Sequence, residues 1–194
     1  DAPSVAAPTA GLHFTPELVE TLARRGVERI PVALQVGAGT FKPVETERLE
    51  DHLMHTERCM VSHAALERLR DVRARAIAGA GRIVAVGTTS ARTLESLPLP
   101  LPPAGPLVWE TNILIAPGHQ PRLVDLLLTN FHLPRSTLLM LVAALAGRQR
   151  VLAAYAQAVA QSYRFFSFGD AMLIPSQLPD PECAPASTRE PERP

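Results

Sequence analysis

Apolar and polar residues alternate along this chain in patterns that predict strands and helices in turn. Residues 30–36 place an apolar side chain at every second position, which is typical of a half-buried strand. Thr15 followed by Pro16 predicts the start of a helix, and Gly26 is its expected end. Strands alternating with helices predict an α/β domain.

Later segments continue this alternation. Ser62 and Ser136 are expected to cap two further helices, and a last helix is predicted over residues 151–161. Short apolar runs predict strands at residues 83–86, 113–115 and 123–128. The apolar side of the helix after Ser62 consists of Leu66, Leu69 and Ile77. Its other side is expected to consist of Arg68, Arg70, Arg73 and Arg75.

Composition bounds the fold and excludes several classes of protein. The 194 residues are 46% hydrophobic and 20% charged, which is enough apolar material for a folded core. Nineteen Lys and Arg balance nineteen Asp and Glu, so a nucleic-acid partner would need a local basic patch. Cys59 and Cys183 stand far apart, which favours a reducing cytoplasmic setting over disulfides or a thiolate zinc site.

The ends of the chain suggest its organisation. Residues 1–174 are expected to form one domain, and the proline-rich residues 175–194 are expected to be a disordered tail. No apolar run is long enough to predict a membrane span. Because neither an initiator Met nor a signal peptide precedes Asp1, we expect the chain to be a piece of a longer protein.

Two stretches that follow predicted strands can present backbone N–H groups to an anion or a sugar. Gly37, Gly39 and Thr40 form the first, for which a tight turn is the alternative. Thr88 and Thr89 open the second at a helix N-terminus, where unpaired N–H groups and the helix dipole favour negative charge. A simple helix cap by one hydroxyl is the alternative there.

Two histidines and a carboxylate lie close together at His52, His55 and Glu57. Both imidazoles would share one face of a helix but would diverge on a strand. A metal site would need a third, distant ligand, for which His132, His13 and Asp125 are the candidates. The alternative is an ordinary polar segment with one hydrogen-bonded histidine.

The densest polar run lies between a predicted strand and a predicted helix, where α/β proteins place ligands. Its candidate site residues are Asn130, His132 and Ser136, which we expect to converge with the two threonines above. The alternative is a helix cap beside a surface turn. Nearer the C-terminus, Arg164 and Asp170 either pair structurally or contribute one side chain to a pocket.

Six motifs occur in a fixed order, at residues 8–15, 36–44, 52–57, 85–89, 129–138 and 163–172. In this order they resemble the S-adenosylmethionine:tRNA ribosyltransferase-isomerases of queuosine biosynthesis, and the match extends to about Ile174. The resemblance implies a barrel-like or mixed α/β main domain that is incomplete here, without an N-terminal portion and an inserted all-β domain. The chain departs from the family's pattern at Gln35, Trp109 and His119.

The resemblance also implies a reaction. The ribosyl part of S-adenosylmethionine would be transferred to 7-aminomethyl-7-deazaguanine at the tRNA wobble position and isomerised, giving epoxyqueuosine with loss of adenine and methionine. The implied catalytic residues are His132, His55, His13 and Asp170. The implied substrate-binding residues are Gly37, Gly39, Thr40, His52, Glu57, Thr88, Thr89, Arg92, Asn130, Ser136 and Arg164. No metal or cofactor is expected beyond S-adenosylmethionine as co-substrate, and the expected partner is the tRNA anticodon arm.

Two other functions remain open at this point. A metal-dependent hydrolase would use His52, His55 and His132, and a non-catalytic binding piece would need a missing half. Chelator-sensitive activity without tRNA would indicate the hydrolase, whereas tRNA-dependent release of adenine would indicate the transferase. The arginine-rich helix side would bind anticodon-arm phosphates, unless it is a salt-bridged solvated face.

Overall fold

The computed structural model describes residues 9–36, 54–103, 105–167 and 169–176. Within these ranges a short 3-10 helix, Thr9–His13, precedes five α-helices and six strands. The helices are α1 (Pro16–Arg24), α2 (His63–Ile77), α3 (Thr88–Glu95), α4 (Thr137–Ala146) and α5 (Arg148–Ala160). The strands are β1 (Ala33–Gln35), β2 (Glu57–Val61), β3 (Val84–Val86), β4 (Leu107–Thr111), β5 (Leu126–Asn130) and β6 (Ala171–Pro175).

The described strands form two separate three-stranded sheets. The first has the order β1-β2-β4 and is antiparallel throughout. The second has the order β3-β5-β6, with β3 parallel to β5 and β5 antiparallel to β6. The mixed α/β prediction is therefore confirmed. The barrel-like form is wrong for the described residues, because a barrel needs one continuous ring of paired strands.

Helix starts follow the local sequence closely. The side chains of Thr15, Ser62 and Ser136 accept backbone hydrogen bonds at the N-termini of α1, α2 and α4, as predicted. Helix α3 differs, because its cap is Gly87, which forms no side-chain capping bond. The backbone at Gly87 has a φ of 89°, a conformation that glycine adopts without steric cost. The threonine hydroxyls at this helix start are therefore not used as caps.

Two of the predicted strands are displaced. Residues 113–115 are not a strand, since the pairing strand is β4 and ends at Thr111, whose hydroxyl accepts the Ile113 N–H. Strand β5 begins at Leu126 rather than at 123, because the N–H groups of Leu123 and Val124 donate to a buried carboxylate instead of to a neighbouring strand. Strands β2, β4 and β6 were not predicted.

One buried apolar cluster joins α2, α3, α4 and α5 to all three strands of the mixed sheet. Its fully buried members include Leu66, Leu97, Leu127 and Leu141. A smaller cluster of Leu34, Val36 and Cys59 lies against the antiparallel sheet. The main core thus fixes the ends of β3 and β5 relative to α3 and α4.

The predicted basic side of α2 does not form as expected. Arg70 and Arg73 are half-buried, because residues three and four apart share a helix face and this face is that of Leu66. Arg68 and Arg75 are exposed, and both form ion pairs with Glu28. Ile77, expected in the core, is 78% exposed at the last turn of the helix.

The predicted tail begins inside an element, since β6 includes Pro175 and the Ser176 N–H donates to the Asp125 carbonyl oxygen. Residues 177–194 lie outside the described residues. No single helix in the described ranges is long and apolar enough to cross a membrane. Helices α4 and α5 would qualify together by length and composition alone, across a bend of 114°.

Candidate functional site at the ends of β3 and β5

The carboxyl ends of β3 and β5 lie side by side, because the two strands are parallel neighbours. Pairing continues past β3, where the Gly87 N–H donates to the Leu128 carbonyl oxygen at 2.8 Å. Helix α3 starts immediately afterwards, at Thr88. Ligands of α/β proteins commonly bind beyond such strand ends, which makes this edge the candidate site.

Asn130, the last residue of β5, contacts two distant segments at this edge, the 3-10 helix and the turn before β6. Its side-chain nitrogen Nδ2 lies 3.2 Å from Nε2 of His13 and 3.5 Å from the Gly169 carbonyl oxygen. Its Oδ1 atom accepts a hydrogen bond from the Thr9 hydroxyl at 3.4 Å. Asn130 is buried, whereas His13 is exposed. The structure therefore brings two predicted site residues together, with His13 facing solvent at the rim.

A tight turn between α5 and β6 places Asp170 near the same edge. The Arg164 N–H donates to Asp170 Oδ2 at 2.8 Å, and the Asp170 N–H donates back to the Arg164 carbonyl oxygen at 2.8 Å. The hydrogen bond from the Arg164 N–H is the main cause that lowers the pKa of Asp170, and the charges of Arg164 and His13 add to it. Asp170 is thus an ionised carboxylate close to His13, paired structurally with Arg164.

His132 lies apart from this group. Its Nε2 atom is 2.9 Å from the Thr129 hydroxyl, and its backbone N–H donates to the Tyr155 hydroxyl at 2.9 Å. Thr129 and Asn130 are consecutive in β5, so their side chains leave opposite faces of the strand. Among the described residues, hydrogen bonds do not connect His132 to Asn130. Burial lowers the pKa of His132 from 6.5 to about 4, so the ring is neutral at neutral pH.

Arg92 and Glu57, both predicted to bind substrate, form a buried ion pair with each other. Their side chains are 5% and 0% exposed, and Arg92 Nη2 also donates to the Ile113 carbonyl oxygen at 3.4 Å. Nε of Arg92 is buried without a hydrogen-bond partner among the described residues. Arg92 lines a small cavity together with Met54, Ile113–Ile115, Thr137, Leu138 and Leu141.

Glu95 is an organising residue that sequence reasoning missed. Its side chain is fully buried, and Oε1 accepts the N–H groups of Leu123 and Val124 at 3.0 and 2.9 Å. Oε2 accepts the Arg122 N–H at 2.8 Å and lies 3.0 Å from Nε2 of His119. The available signal was a carboxylate one turn after Arg92, on a helix expected to be buried.

The remaining predicted residues occupy varied positions. Ser136 uses its hydroxyl inside its own loop, donating to the Leu133 carbonyl oxygen at 2.8 Å and accepting from the Leu139 N–H at 3.1 Å. Thr88 is buried, Thr89 is half-buried, and His55 is exposed. Residues outside the described ranges are Gly37, Gly39, Thr40 and His52.

Metal ligation has no support in the part of the chain that the structure describes. No group of three or more His, Cys, Asp or Glu side chains there could hold an ion. The residues covered by this finding include His55 and His132 but not His52. The hydrolase alternative is therefore tested only in part, because one of its three candidate ligands lies outside the described residues.

Comparisons with known proteins find similarity over most of the chain. The S-adenosylmethionine:tRNA ribosyltransferase-isomerase of Thermotoga petrophila is 56% identical over 171 residues, covering 88% of this chain and 50% of that relative. The protein of the same name from Anaeromyxobacter sp. (strain K) is 58% identical over 172 residues, 88% of this chain and 48% of the relative. The crystal structure of S-adenosylmethionine tRNA ribosyltransferase from Thermotoga maritima aligns with a TM-score of 0.67 and 48% identity, over 84% of this chain and 50% of that one.

The chain spans about half the length of the curated relatives it matches. Within that half, the similarity includes the segments that meet at the ends of β3 and β5. The family described as queuosine biosynthesis protein matches residues 1–174, which include every element of the fold except the last residue of β6. On this match, the chain belongs to the queuosine biosynthesis protein family.

Proposed function

We propose that this protein acts as an S-adenosylmethionine:tRNA ribosyltransferase-isomerase. It would transfer the ribosyl group of S-adenosylmethionine to 7-aminomethyl-7-deazaguanine at the wobble position of a tRNA and isomerise it, giving epoxyqueuosine, adenine and methionine. The family match and the names of the relatives support this proposal. The observation that carries it is the cluster of His13, Asn130 and Asp170, built from three separate motifs at one sheet edge.

The proposed reaction needs a group that removes a proton. The positive sulfur of S-adenosylmethionine acidifies the ribose C5′–H bond, and a nearby base starts the rearrangement. His132 is a weak base in this structure, because burial lowers its pKa to about 4. His13 and His55 are exposed and are the remaining predicted histidines among the described residues. We therefore propose His13 or His55, rather than His132, as the candidate base; the backbone N–H of His132 ties the loop after β5 to Tyr155.

The same chemistry accounts for the proposed absence of a cofactor. A sulfonium makes methionine a good leaving group without a Lewis acid or a redox centre. Adenine leaves more readily when its ring nitrogens accept hydrogen bonds, a task suited to neutral donors at the edge of the site. The proposal therefore includes S-adenosylmethionine as co-substrate and the tRNA anticodon arm as partner, in the cytoplasm where tRNA is modified.

Release of adenine tests the proposed function against its alternatives. The chain is incubated with S-adenosylmethionine and a tRNA that bears the 7-aminomethyl-7-deazaguanine base, and free adenine is measured with and without EDTA. Release that requires the modified tRNA and is unaffected by EDTA is the expected result. Activity without tRNA that EDTA abolishes would contradict it in favour of the metal-dependent hydrolase. Binding of S-adenosylmethionine without turnover would favour the non-catalytic alternative.

A further inference from the structure

The two ring nitrogens of His13 are chemically distinct, and the partner of one fixes the state of the other. Nε2 of His13 lies 3.2 Å from Nδ2 of Asn130, within hydrogen-bond distance. A neutral imidazole carries its proton either on Nδ1 or on Nε2, so this contact alone is compatible with more than one arrangement. The orientation of the Asn130 amide decides between them.

The Gly169 carbonyl sets that orientation. This oxygen can only accept, and it lies 3.5 Å from Nδ2 of Asn130. Turning the amide around would place Oδ1 against the Gly169 oxygen, two acceptors facing each other. The Thr9 hydroxyl, 3.4 Å from Oδ1, is compatible with either orientation because it can donate or accept, so the Gly169 oxygen decides. Asn130 is 3% exposed, so solvent offers little compensation for a mismatched pair.

With its amide fixed in this way, Asn130 directs one N–H at Gly169 and the other at His13. An N–H donor facing Nε2 requires a lone pair on that nitrogen. We propose that Asn130 is a positioning residue that holds His13 as the Nδ1–H tautomer, with Nε2 accepting from the Asn130 amide. The ring of His13, an exposed residue, then has its N–H donor at Nδ1.

This tautomer determines which ligand atoms His13 can bind. A neutral imidazole with an occupied Nε2 donates to an acceptor atom of a ligand, such as a ring nitrogen of a departing purine, and leaves removal of a proton to another group. That catalytic consequence rests on the proposed function. The tautomer itself does not, because it follows from hydrogen bonds within the chain.

Nuclear magnetic resonance of the chain labelled with ¹⁵N-histidine tests the tautomer directly. Protonated and bare imidazole nitrogens have well-separated ¹⁵N shifts, and the variant His13→Gln identifies the signals of His13. At a pH where the ring is neutral, the ¹⁵N shift of Nδ1 should be that of a protonated nitrogen, and the shift of Nε2 should be that of an unprotonated nitrogen. A protonated Nε2 in the unaltered chain would overturn the proposal, whatever the variants do.

Asn130→Asp tests the positioning role. A carboxylate can only accept, so the proton of His13 should move to Nε2 in this variant. Asn112→Asp is the matched control, since Asn112 is exposed beyond the end of β4, and it should leave the His13 tautomer unchanged. A folded Asn130→Asp chain, shown by its dispersed amide spectrum, that keeps the Nδ1–H form would contradict the role. If adenine release fails while the tautomer is found, the proposed function falls and this inference stands.

Discussion

His132 shows how one buried side chain links packing to proton affinity. Nε2 of its ring lies 2.9 Å from the Thr129 hydroxyl of β5. The ring of the preceding residue, Phe131, contacts Tyr155, Tyr163 and Phe165 at centroid distances of 5.2 to 5.7 Å. Desolvation disfavours the charged form and lowers the pKa to about 4. The folded chain therefore binds fewer protons than the unfolded chain between about pH 4 and pH 6.5.

A pH series tests this effect on stability. Because the folded pKa is depressed, the contribution of His132 should be complete above pH 6.5 and should be lost as the pH falls toward 4. This contribution of His132 to the unfolding free energy is at most about 3 kcal/mol. Urea titrations at pH 7 and pH 4.5 should therefore show a smaller loss for His132→Gln than for the unaltered chain. The exposed His63→Gln serves as the control, and an equal loss in all three chains would contradict the account.

Gly169 is a second residue whose identity the geometry requires. A Cβ atom there would collide with the Arg164 carbonyl oxygen and lie 2.7 Å from the backbone carbonyl of Phe165. Both obstacles are backbone atoms, so no side-chain rotation relieves them. Gly169→Ala should destabilise the chain by about 1–3 kcal/mol in urea unfolding.

The matched control is Gly11→Ala, because open space surrounds the position of its added methyl group and its backbone is not left-handed. This variant should keep the stability of the original chain within about 0.5 kcal/mol. Equal stability of the two variants would show that the turn between Arg164 and Asp170 differs from the one described.

At the scale of elements, α3 is the member that organises its neighbours. Its Arg92 forms an ion pair with Glu57 and donates to the Ile113 carbonyl oxygen. Its Glu95 accepts hydrogen bonds from the backbone N–H groups of residues 122–124. The connection between β4 and β5 is therefore tied to one helix at both ends. Two departures from the family's pattern also bond at the end of α3: Trp109 donates to Ser96, and His119 contacts Glu95.

Removing the charge of Glu95 tests this anchoring. Glu95→Gln replaces one accepting oxygen by an NH₂ group, so at least one backbone N–H among residues 122–124 loses its partner. The expected cost is about 1–3 kcal/mol of unfolding free energy, measured in urea. Glu20→Gln is the control, because its pair with Arg24 is exposed on α1 and should contribute less than about 1 kcal/mol. Comparable losses in both variants would disprove the anchor.

Sequence reasoning succeeded where the determinant was local. Thr15, Ser62 and Ser136 cap helices through contacts three residues away, so their role is visible in the sequence. It failed where a distant group decided the outcome. The start of β5 is set by Glu95, 28 and 29 residues from the N–H groups it accepts. Arg92 in α3 pairs with Glu57 in β2, and helix α2 and strand β3 lie between these two elements in the sequence. Motif order identified His13 and Asn130, but not that they contact each other.

At the scale of the whole molecule, the candidate site lies where a mixed sheet meets the 3-10 helix and the turn before β6. Charge is balanced across the chain, and the arginines of α2 are divided between pairs with Glu28 and a half-buried face. These observations do not favour α2 as the surface for the proposed tRNA partner. The chain spans about half the length of its relatives, and its proposed site lies at the edge formed by β3 and β5.

The most direct test of this account is the rate of adenine release by His13→Ala and by His63→Ala, measured with the modified tRNA and saturating S-adenosylmethionine. His13 lies at the site rim against Asn130, whereas His63 is an exposed histidine that contacts Glu67 on α2. The account predicts that His13→Ala lowers turnover by about 10²-fold or more, as is typical for a group that assists proton transfer or departure. His63→Ala should retain the original rate. Equal rates for the two variants would contradict the placement of the functional site at the ends of β3 and β5.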